Sequence, residues 1–172
     1  MMNHTIPSPY LSVSPYELGN ACRMIGKDWM LVCAGDNAMT ASWGGMGVLW
    51  NKPVAFVFIR PQRHTYTMTE TNDRMALAFL DEQYRGALKY FGTKSGRDGD
   101  KFAATGLDRA AHPVHGTLYP AQARTVLFCR KLYVDNLKKD SFLDPALLAN
   151  YPADDFHRVY VCEIEEVWTA GD

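Results

Sequence analysis

The stretch Pro53-Val-Ala-Phe-Val-Phe-Ile-Arg60 is the strongest strand signal in the chain and decides the class of fold. From Val54 to Ile59 every residue except one alanine is β-branched or aromatic, which is typical of a strand buried in a sheet. Proline is tolerated at the first position of a strand, so Pro53 fits this assignment. We therefore predict that this stretch lies in the core sheet.

Similar strand patterns lie on both sides of this stretch. Trp29–Ala34 is an apolar run that ends in the turn residues Gly35-Asp36-Asn37, so it predicts one arm of a hairpin whose other arm is Ala38–Trp43. Further strands are predicted at Met75–Leu80, Val114–Tyr119, Thr125–Val134 and His157–Trp168. Long antiparallel strands with helices between them predict a mainly β fold of the α+β type, with Greek-key-like strands in a closed or partly closed barrel.

Three short helices are predicted between the strands. Asp81–Phe91 carries apolar residues at helical spacing, and Gly92 closes it. Ser95-Gly-Arg-Asp98 fits the serine-x-x-acid start of a helix that would end at Gly106. Asp144–Ala149 is a small helical piece.

Length and composition predict one folded domain that covers residues 1–172. Apolar residues make up 47% of the chain and charged residues 22%, as in ordinary globular proteins. The net charge of -1 offers no global field for nucleic acid or an anionic membrane. The apolar runs are too short to span a bilayer, and the start MMNHTIPSPY lacks the pattern of a signal peptide, so we expect a cytoplasmic protein.

The four cysteines are scattered and contain no Cys-x-x-Cys pair. Their apolar or aromatic neighbours predict buried thiols rather than disulfides or metal ligands for Cys22, Cys33, Cys129 and Cys162.

The segment that leaves the core strand is the best candidate for a phosphate site. It carries two arginines and two threonines, and both guanidinium groups and hydroxyls suit a phosphate; these residues are Arg60, Arg63, Thr65 and Thr67. Thr67-Met-Thr-Glu70 also fits a capping box, so a helix starting there would present its N-terminus to the anion. The alternative is a solvated turn with incidental arginines.

The preceding strand is a candidate for contact with a flat ring. In an extended conformation Thr40 and Ser42 share one face, and Ala41 and Trp43 share the other. Small side chains leave room for a heteroaromatic ring, and backbone groups can contact its polar edge. The alternative is an ordinary hairpin strand.

Other kinds of site find no support in the sequence. A strand would point His112 and His115 to opposite faces, and no carboxylate or cysteine lies near them in the sequence, so we predict no metal site. The glycines of Gly44–Gly47 form no dinucleotide fingerprint, and the chain has no Walker or Gly-x-Ser-x-Gly sequence. We therefore predict no catalytic side chains of a hydrolase and no Rossmann or P-loop site.

Four motifs in order resemble the flavin reductase-like family, and its flavoredoxin branch most closely. They are Asn37-x-Met-Thr-x-Ser-Trp43, Trp50-Asn-Lys-Pro53, Arg60-Pro-x-Arg-x-Thr65, and Tyr90-Phe-Gly-Thr-x-Ser-Gly-Arg-Asp98 with Lys101-Phe102. The resemblance implies a split β-barrel that binds FMN noncovalently and forms a homodimer with the flavin near the subunit interface. Phe79-Leu-Asp-Glu-Gln-Tyr84 stands where the wider reductase pattern has Phe-x-x-Asn-x-Leu.

The resemblance also assigns site residues. It places Met39, Thr40, Ala41, Ser42 and Trp43 along the isoalloxazine, Arg60, Arg63, His64, Thr65 and Thr67 at the phosphate, and Ser95, Gly96, Arg97, Asp98 and Lys101 in a loop that reaches the flavin or the partner subunit. The implied activity is hydride transfer from a transiently bound NAD(P)H to the flavin and on to free flavin or a small acceptor. One alternative is a flavoredoxin-like carrier that exchanges electrons with another redox protein, and another is a binding module for a different phosphorylated ligand.

Overall fold

Eight of the ten strands in the described part of the chain pair into one antiparallel sheet, in a computed structural model that describes residues 5–171. The first four residues of the N-terminal start considered above, and Asp172, lie outside the described residues. The strands are β1 (Tyr10–Val13), β2 (Met30–Ala34), β3 (Asn37–Ala41), β4 (Gly44–Leu49), β5 (Lys52–Ile59), β6 (Arg74–Phe79), β7 (Arg109–Ala111), β8 (Leu118–Pro120), β9 (Thr125–Asn136) and β10 (Arg158–Ala170).

The sheet has the order β3-β2-β6-β9-β10-β5-β4, and β7 and β8 form a separate hairpin. The long strand β10 pairs with β9 along its length, with β5 through its first half and with β1 through its last residues. The hydrogen-bonded path ends at β3 and β4, so the sheet is not closed into a barrel. The predicted mainly β fold with short helices is confirmed, and of the two forms expected for the barrel, closed or partly closed, the closed one is excluded.

Two apolar cores lie on opposite faces of the central strands. Successive side chains of a strand point to opposite faces, and in β6 Met75 and Leu77 pack into one core while Ala76 and Ala78 pack into the other. Helices cover the second core, which explains why these strands read as continuous apolar runs instead of alternating ones.

Four α-helices connect the strands, and their bounds correct three predictions. They are α1 (Ala21–Arg23), α2 (His64–Thr71), α3 (Arg85–Thr93) and α4 (Lys101–Thr105). Helix α2 starts three residues before Thr67, whose hydroxyl donates to His64 O at 2.8 Å instead of capping the helix. A 3₁₀ turn, Glu82–Tyr84, precedes α3, and Gly92 lies inside its last turn instead of closing it.

Helix α4 begins after Asp100 and not after Ser95. The Asp100 carboxylate accepts from the N–H groups of Phe102 and Ala103 at 2.9 and 3.2 Å, which is the standard way to cap a helix. Ser95 instead closes a turn, in which its carbonyl accepts from Asp98 N at 3.2 Å. The predicted stop at Gly106 is confirmed, because this glycine is left-handed with a φ of 69°.

Two further predictions are wrong in part. The stretch Val114–Tyr119 forms a turn before β8, so only its last two residues belong to a strand. Three of the four cysteines are buried as predicted, but Cys22 is exposed. Among the described residues, no helix is long and apolar enough to cross a membrane.

Candidate functional site

Two neighbouring cavities share Arg63 and bring together most of the residues proposed from the sequence. The cation cavity, of about 190 Å³, is lined by Asn37, Gln62, Arg63, His64, Thr65, Gly92, Thr93, Lys94, Ser95, Gly96, Arg97 and Lys101. The strand cavity, of about 140 Å³, is lined by Met39, Thr40, Ala41, Ser42, Trp43, Phe58, Arg60, Arg63 and His157. Each alone is smaller than the roughly 300 Å³ typical of small ligand sites, and Arg63 is the described residue that both share.

The strand cavity follows β3, which lies at one end of the sheet and leaves one backbone edge unpaired by any described strand. Ala38 O points away from β2, because it accepts a hydrogen bond from Lys101 Nζ. Since antiparallel backbone groups alternate in direction, Thr40 presents its N–H and C=O on the same open edge. The Thr40 hydroxyl donates to Leu88 O at 2.5 Å, which fixes helix α3 beside the strand. This edge can hydrogen-bond the polar rim of a flat ligand.

The cation cavity carries positive charge that no carboxylate of the described residues neutralises by an ion pair. Arg63 donates to Gly92 O at 2.9 Å and to Phe91 O at 3.1 Å, at the C-terminal end of α3. Arg97 donates to Gln62 O at 3.1 Å. Lys101 Nζ donates to Ala38 O and, at 3.5 Å, to Phe91 O. Backbone carbonyls hold these three groups in place without cancelling their charge, which suits an anion.

Burial makes this charge costly in the absence of an anion. Lys101 is buried, and this burial, followed by the charge of Arg63, lowers the pKa of its ammonium to about 8. Burial also lowers the pKa of Arg63. An anion between the two groups would stabilise both charged forms.

The N-terminus of α2 forms one wall of the cation cavity. Arg63 occupies the N-cap position and makes no side-chain capping bond, so the first N–H groups of this eight-residue helix are available to an anion. Thr65 is buried, and its hydroxyl accepts from Asn37 Nδ2 at 3.0 Å. His64 Nδ1 is buried without a hydrogen-bond partner among the described residues. These groups make the wall polar and leave hydrogen-bonding capacity unused.

Gly96 closes the opposite side of this cavity. A Cβ at this position would lie 2.4 Å from Asn37 Oδ1 and 2.9 Å from His64 Cδ2, so only glycine lets the loop approach the wall this closely. Asn37 cannot retreat easily, because it is buried and bonded to Thr65.

We expect Gly96→Ala to lower the free energy of unfolding by about 1–2 kcal/mol, because the methyl group overpacks this contact. Urea denaturation measures the effect. The matched control is Gly86→Ala, in an exposed part of α3 with no atom within 4 Å of the added Cβ, which should stabilise by about 0.5–1 kcal/mol. Equal effects at the two glycines would contradict the close approach at Gly96.

Three of the residues that the resemblance assigned lie away from their expected place. Arg60 and Thr67 were assigned to the phosphate end, and Asp98 was assigned to the loop. Arg60 lines the strand cavity, where its Nη1 pairs with Asp155 at 2.6 Å and its Nη2 donates to Asn150 O at 2.7 Å. Thr67 and Asp98 line neither cavity.

Sequence reasoning missed His157, which is 7% exposed and lines the strand cavity. Its Nδ1 lies 2.8 Å from the Tyr151 hydroxyl, and its ring centroid lies 5.4 Å from that of Trp43. Burial, and then the charge of Arg60, lower the pKa of His157 to about 4, so the imidazole is neutral at neutral pH. His157 directly precedes β10, and the pairing of β10 with β5 places Arg158 opposite Ile59. Only knowledge of this pairing could have predicted that His157 lies at the site.

The prediction that His112 and His115 face apart is wrong. A turn joins them, and their rings stack at 3.7 Å with an interplanar angle of 2°. His112 Nε2 also lies 3.3 Å from Glu166 Oε1, and the three side chains place potential ligand atoms within 4.8 Å of one another. However, the nitrogen lone pairs of parallel rings lie side by side and do not converge on one point, so this stack is not arranged for a single ion.

Comparisons with known proteins agree with this architecture. A family model described as "Flavin reductase like domain" matches residues 23–172. No curated protein matches the chain. The solved structures that are similar include an FMN-binding domain of a flavin reductase-like enzyme from Shewanella baltica, with a TM-score of 0.70, 16% identity, and coverage of 96% of this chain and 80% of that one.

Two further solved structures share the fold with similar TM-scores and sequence identities. The flavoredoxin of Desulfovibrio vulgaris has a TM-score of 0.65 and 19% identity, with 84% of this chain and 69% of that chain covered. An NADH:FAD oxidoreductase of Streptomyces globisporus has a TM-score of 0.62 and 16% identity, with 84% and 74% covered. Because the family model spans most of its length, the chain belongs to the flavin reductase-like domain family.

Proposed function

We propose that the protein binds FMN noncovalently and works as an FMN-dependent oxidoreductase. The observation that carries this proposal is the pair of cavities joined at Arg63, one bordered by an open strand edge and the other rich in unneutralised cations. The isoalloxazine would lie along Met39–Trp43, and the phosphate would lie between Arg63 and Lys101. Family membership and the FMN-binding domain from Shewanella baltica support the choice of flavin.

The unused groups of the cation cavity fit a phosphate. His64 Nδ1 can donate to a phosphate oxygen in the tautomer that carries its proton there, and the N-terminus of α2 offers backbone donors. The Lys101 ammonium has a third donor beyond the two backbone carbonyls that it contacts. Gly96 keeps this cradle open by its missing side chain.

When bound, FMN supplies the redox chemistry, that is, acceptance and donation of a hydride or of electrons. The protein's residues bind and orient the cofactor. Arg63 and Lys101 hold the anionic end, and the open edge of β3 sets hydrogen bonds at the ring. Trp43, which is 50% exposed at the mouth of the strand cavity, borders the route by which NAD(P)H and a small acceptor would reach the ring in turn.

A flavoredoxin-like electron carrier is the second candidate. The specific observation in its favour is the open mouth of the strand cavity beside the exposed indole of Trp43, which would let a redox protein approach the ring edge. The similar fold of the Desulfovibrio flavoredoxin supports the electron carrier. The similar fold of the Streptomyces oxidoreductase supports the oxidoreductase to the same degree.

The absorption spectrum of the purified protein tests flavin binding first. We expect a yellow protein, or a colourless one that FMN at 100 times its dissociation constant stabilises by roughly 2.7 kcal/mol. No stabilisation by FMN would favour a site for another phosphorylated ligand.

Anaerobic mixing of the FMN-loaded protein with NADH or NADPH separates the two redox candidates. Bleaching within seconds is expected for the oxidoreductase. A flavin that stays oxidised with both nucleotides, yet accepts electrons from a chemical reductant, would favour the carrier.

We also propose a homodimer that uses the β4 side of the sheet. This edge strand contains no charged residue or proline, and it leaves its outer backbone edge unpaired by any described strand. Val48 in this strand and Trp50 just after it are 60% and 53% exposed. Burial of this apolar surface by a second copy would remove it from water.

Sedimentation velocity tests the dimer. We expect a dimer for the wild-type chain and a shift toward monomer for Val48→Asp. Leu143→Asp, at a fully exposed leucine far along the chain, is the matched control and should leave the dimer intact. A wild-type protein that sediments as a monomer would contradict the proposal.

A further inference from the structure

A buried tyrosine–histidine pair, Tyr151 and His157, borders the strand cavity through its histidine. Tyr151 and His157 are each 7% exposed, and the Tyr151 hydroxyl lies 2.8 Å from His157 Nδ1. His157 lines the cavity, and none of its hydrogen bonds to described residues involves Nε2. With Nδ1 engaged by Tyr151, Nε2 is the atom left for a ligand in the cavity.

The surroundings of the pair keep the His157 imidazole neutral and leave it with one proton that it can donate. Arg60 lies over the Tyr151 ring, with its guanidinium carbon 5.1 Å from the ring centroid, and it also pairs with Asp155 at 2.6 Å. The low pKa of His157 favours the neutral ring, which carries one proton. If Tyr151 donates to Nδ1, that proton sits on Nε2 and points to the ligand. Trp43 and Phe58 border the histidine, so the cavity offers apolar walls around one polar donor.

We propose that Tyr151 and His157 form a proton relay for a small conjugated carbonyl compound, an enone or a quinone, that accepts a hydride from the flavin at the mouth of the strand cavity. The proposal rests on the proposed FMN site, which supplies the hydride after reduction by NAD(P)H. It identifies the acceptor as a molecule that takes up a proton together with a hydride, in contrast to a one-electron partner.

An enone accepts the hydride at its β-carbon. The hydride forms a C–H bond at the β-carbon, the C=C electron pair moves to become the new C=C of an enol, and the C=O pair moves to oxygen. His157 Nε2 gives its proton to that oxygen, while Nδ1 takes the proton of the Tyr151 hydroxyl. The enol becomes the saturated carbonyl compound in water, Nδ1 returns its proton to the Tyr151 phenolate, and Nε2 takes up a proton from solvent, which restores the starting tautomer. Burial raises the pKa of Tyr151, and the charge of Arg60 over its ring offsets part of this effect in the transient phenolate.

Tyr151→Phe tests the relay, because it removes one hydroxyl and keeps the aromatic packing against Phe142 and Phe156. The FMN-loaded protein is reduced chemically without oxygen and then mixed with 2-cyclohexen-1-one or with ferricyanide, a one-electron acceptor that needs no proton. We expect the ratio of the enone rate to the ferricyanide rate to fall by about 100-fold, in the range of general acid catalysis. Tyr16→Phe, at an exposed tyrosine, is the matched control and should leave the ratio unchanged.

A second readout does not depend on turnover. Nitrogen NMR of the apoprotein should find His157 with its proton on Nε2, and Tyr151→Phe should change this tautomer distribution. An unchanged rate ratio in Tyr151→Phe, a wild-type protein whose reduced flavin reacts with ferricyanide but not with the enone, or a proton on Nδ1 of His157 would each overturn the relay. Failure to retain FMN at all would instead contradict the proposed function, so the two failures are distinguishable.

Discussion

Replacing Arg63 by alanine is expected to weaken FMN binding by roughly 1.5–3 kcal/mol, the typical contribution of a hydrogen bond to a charged group. Arg63 is the one described residue that lines both cavities, and its charge has no carboxylate partner there. Its loss would therefore leave the phosphate without a partner at the point where the two cavities meet. A fluorescence titration of the flavin measures the change.

The control must separate binding from folding, because Arg63 also donates to two carbonyls at the end of α3. Arg85 is matched in this respect, since it donates to Lys27 O at 2.9 Å and to Asp28 O at 3.2 Å but lines neither cavity. Arg85→Ala should therefore lower stability without changing the affinity for FMN. An affinity in Arg63→Ala equal to that of the wild type would remove Arg63 from the site.

Strand identity was predictable from sequence because the core strands carry apolar residues on both faces. Val54 to Ile59 and Met75 to Phe79 are unambiguous in this respect, and both lie in the sheet. Closure was not predictable, since it depends on whether β3 and β4 pair with each other, and no local pattern in either strand encodes that distance.

The first residues of the helices were less predictable, because several neighbouring side chains can cap the same helix N-terminus. Ser95 and Asp100 both have side chains that can cap a helix, and the Asp100 carboxylate prevails at α4 while Arg109 holds it at 2.6 Å. Thr67 has the capping-box pattern, but the chain already turns into α2 at His64. Local motifs thus identified the regions of α2, α3 and α4 and misplaced their first residues, whereas α1 was not predicted.

The candidate site likewise contains residues that local sequence motifs predict and residues that they do not. The residues next to one another in the sequence, Met39–Trp43 and Arg63–Thr65, line the two cavities, while their contact with a flavin stays a prediction. His157 comes from a distant segment of the chain, and the pairing of β10 with β5 brings it to the strand cavity together with its partner Tyr151. Sequence spacing contains no signal for such a contact.

The affinity for FMN is expected to fall by up to about tenfold per pH unit above pH 8, through the titration of Lys101. Burial lowers the pKa of this ammonium to about 8, so it is charged below this pH and increasingly neutral above it. A bound phosphate favours the charged form and raises the pKa, so binding above pH 8 must take up a proton. The phosphate itself stays doubly charged in this range, because its second pKa is about 6. Titrations between pH 7 and 10 measure the slope.

The titration of Lys101 changes the free energy of unfolding of the cofactor-free protein with pH in the direction opposite to its effect on FMN affinity. The two opposite slopes together identify Lys101 as the titrating group. Between its folded pKa of about 8 and the unfolded value near 10.4, the unfolded chain binds more protons than the folded one. The contribution of Lys101 to the free energy of unfolding therefore rises with pH over the window in which the affinity for FMN falls. Lys101→Met should bind FMN weakly and lack both slopes. If the affinity of this variant showed the same dependence on pH as the wild type, another group would titrate and Lys101 would not contact the phosphate.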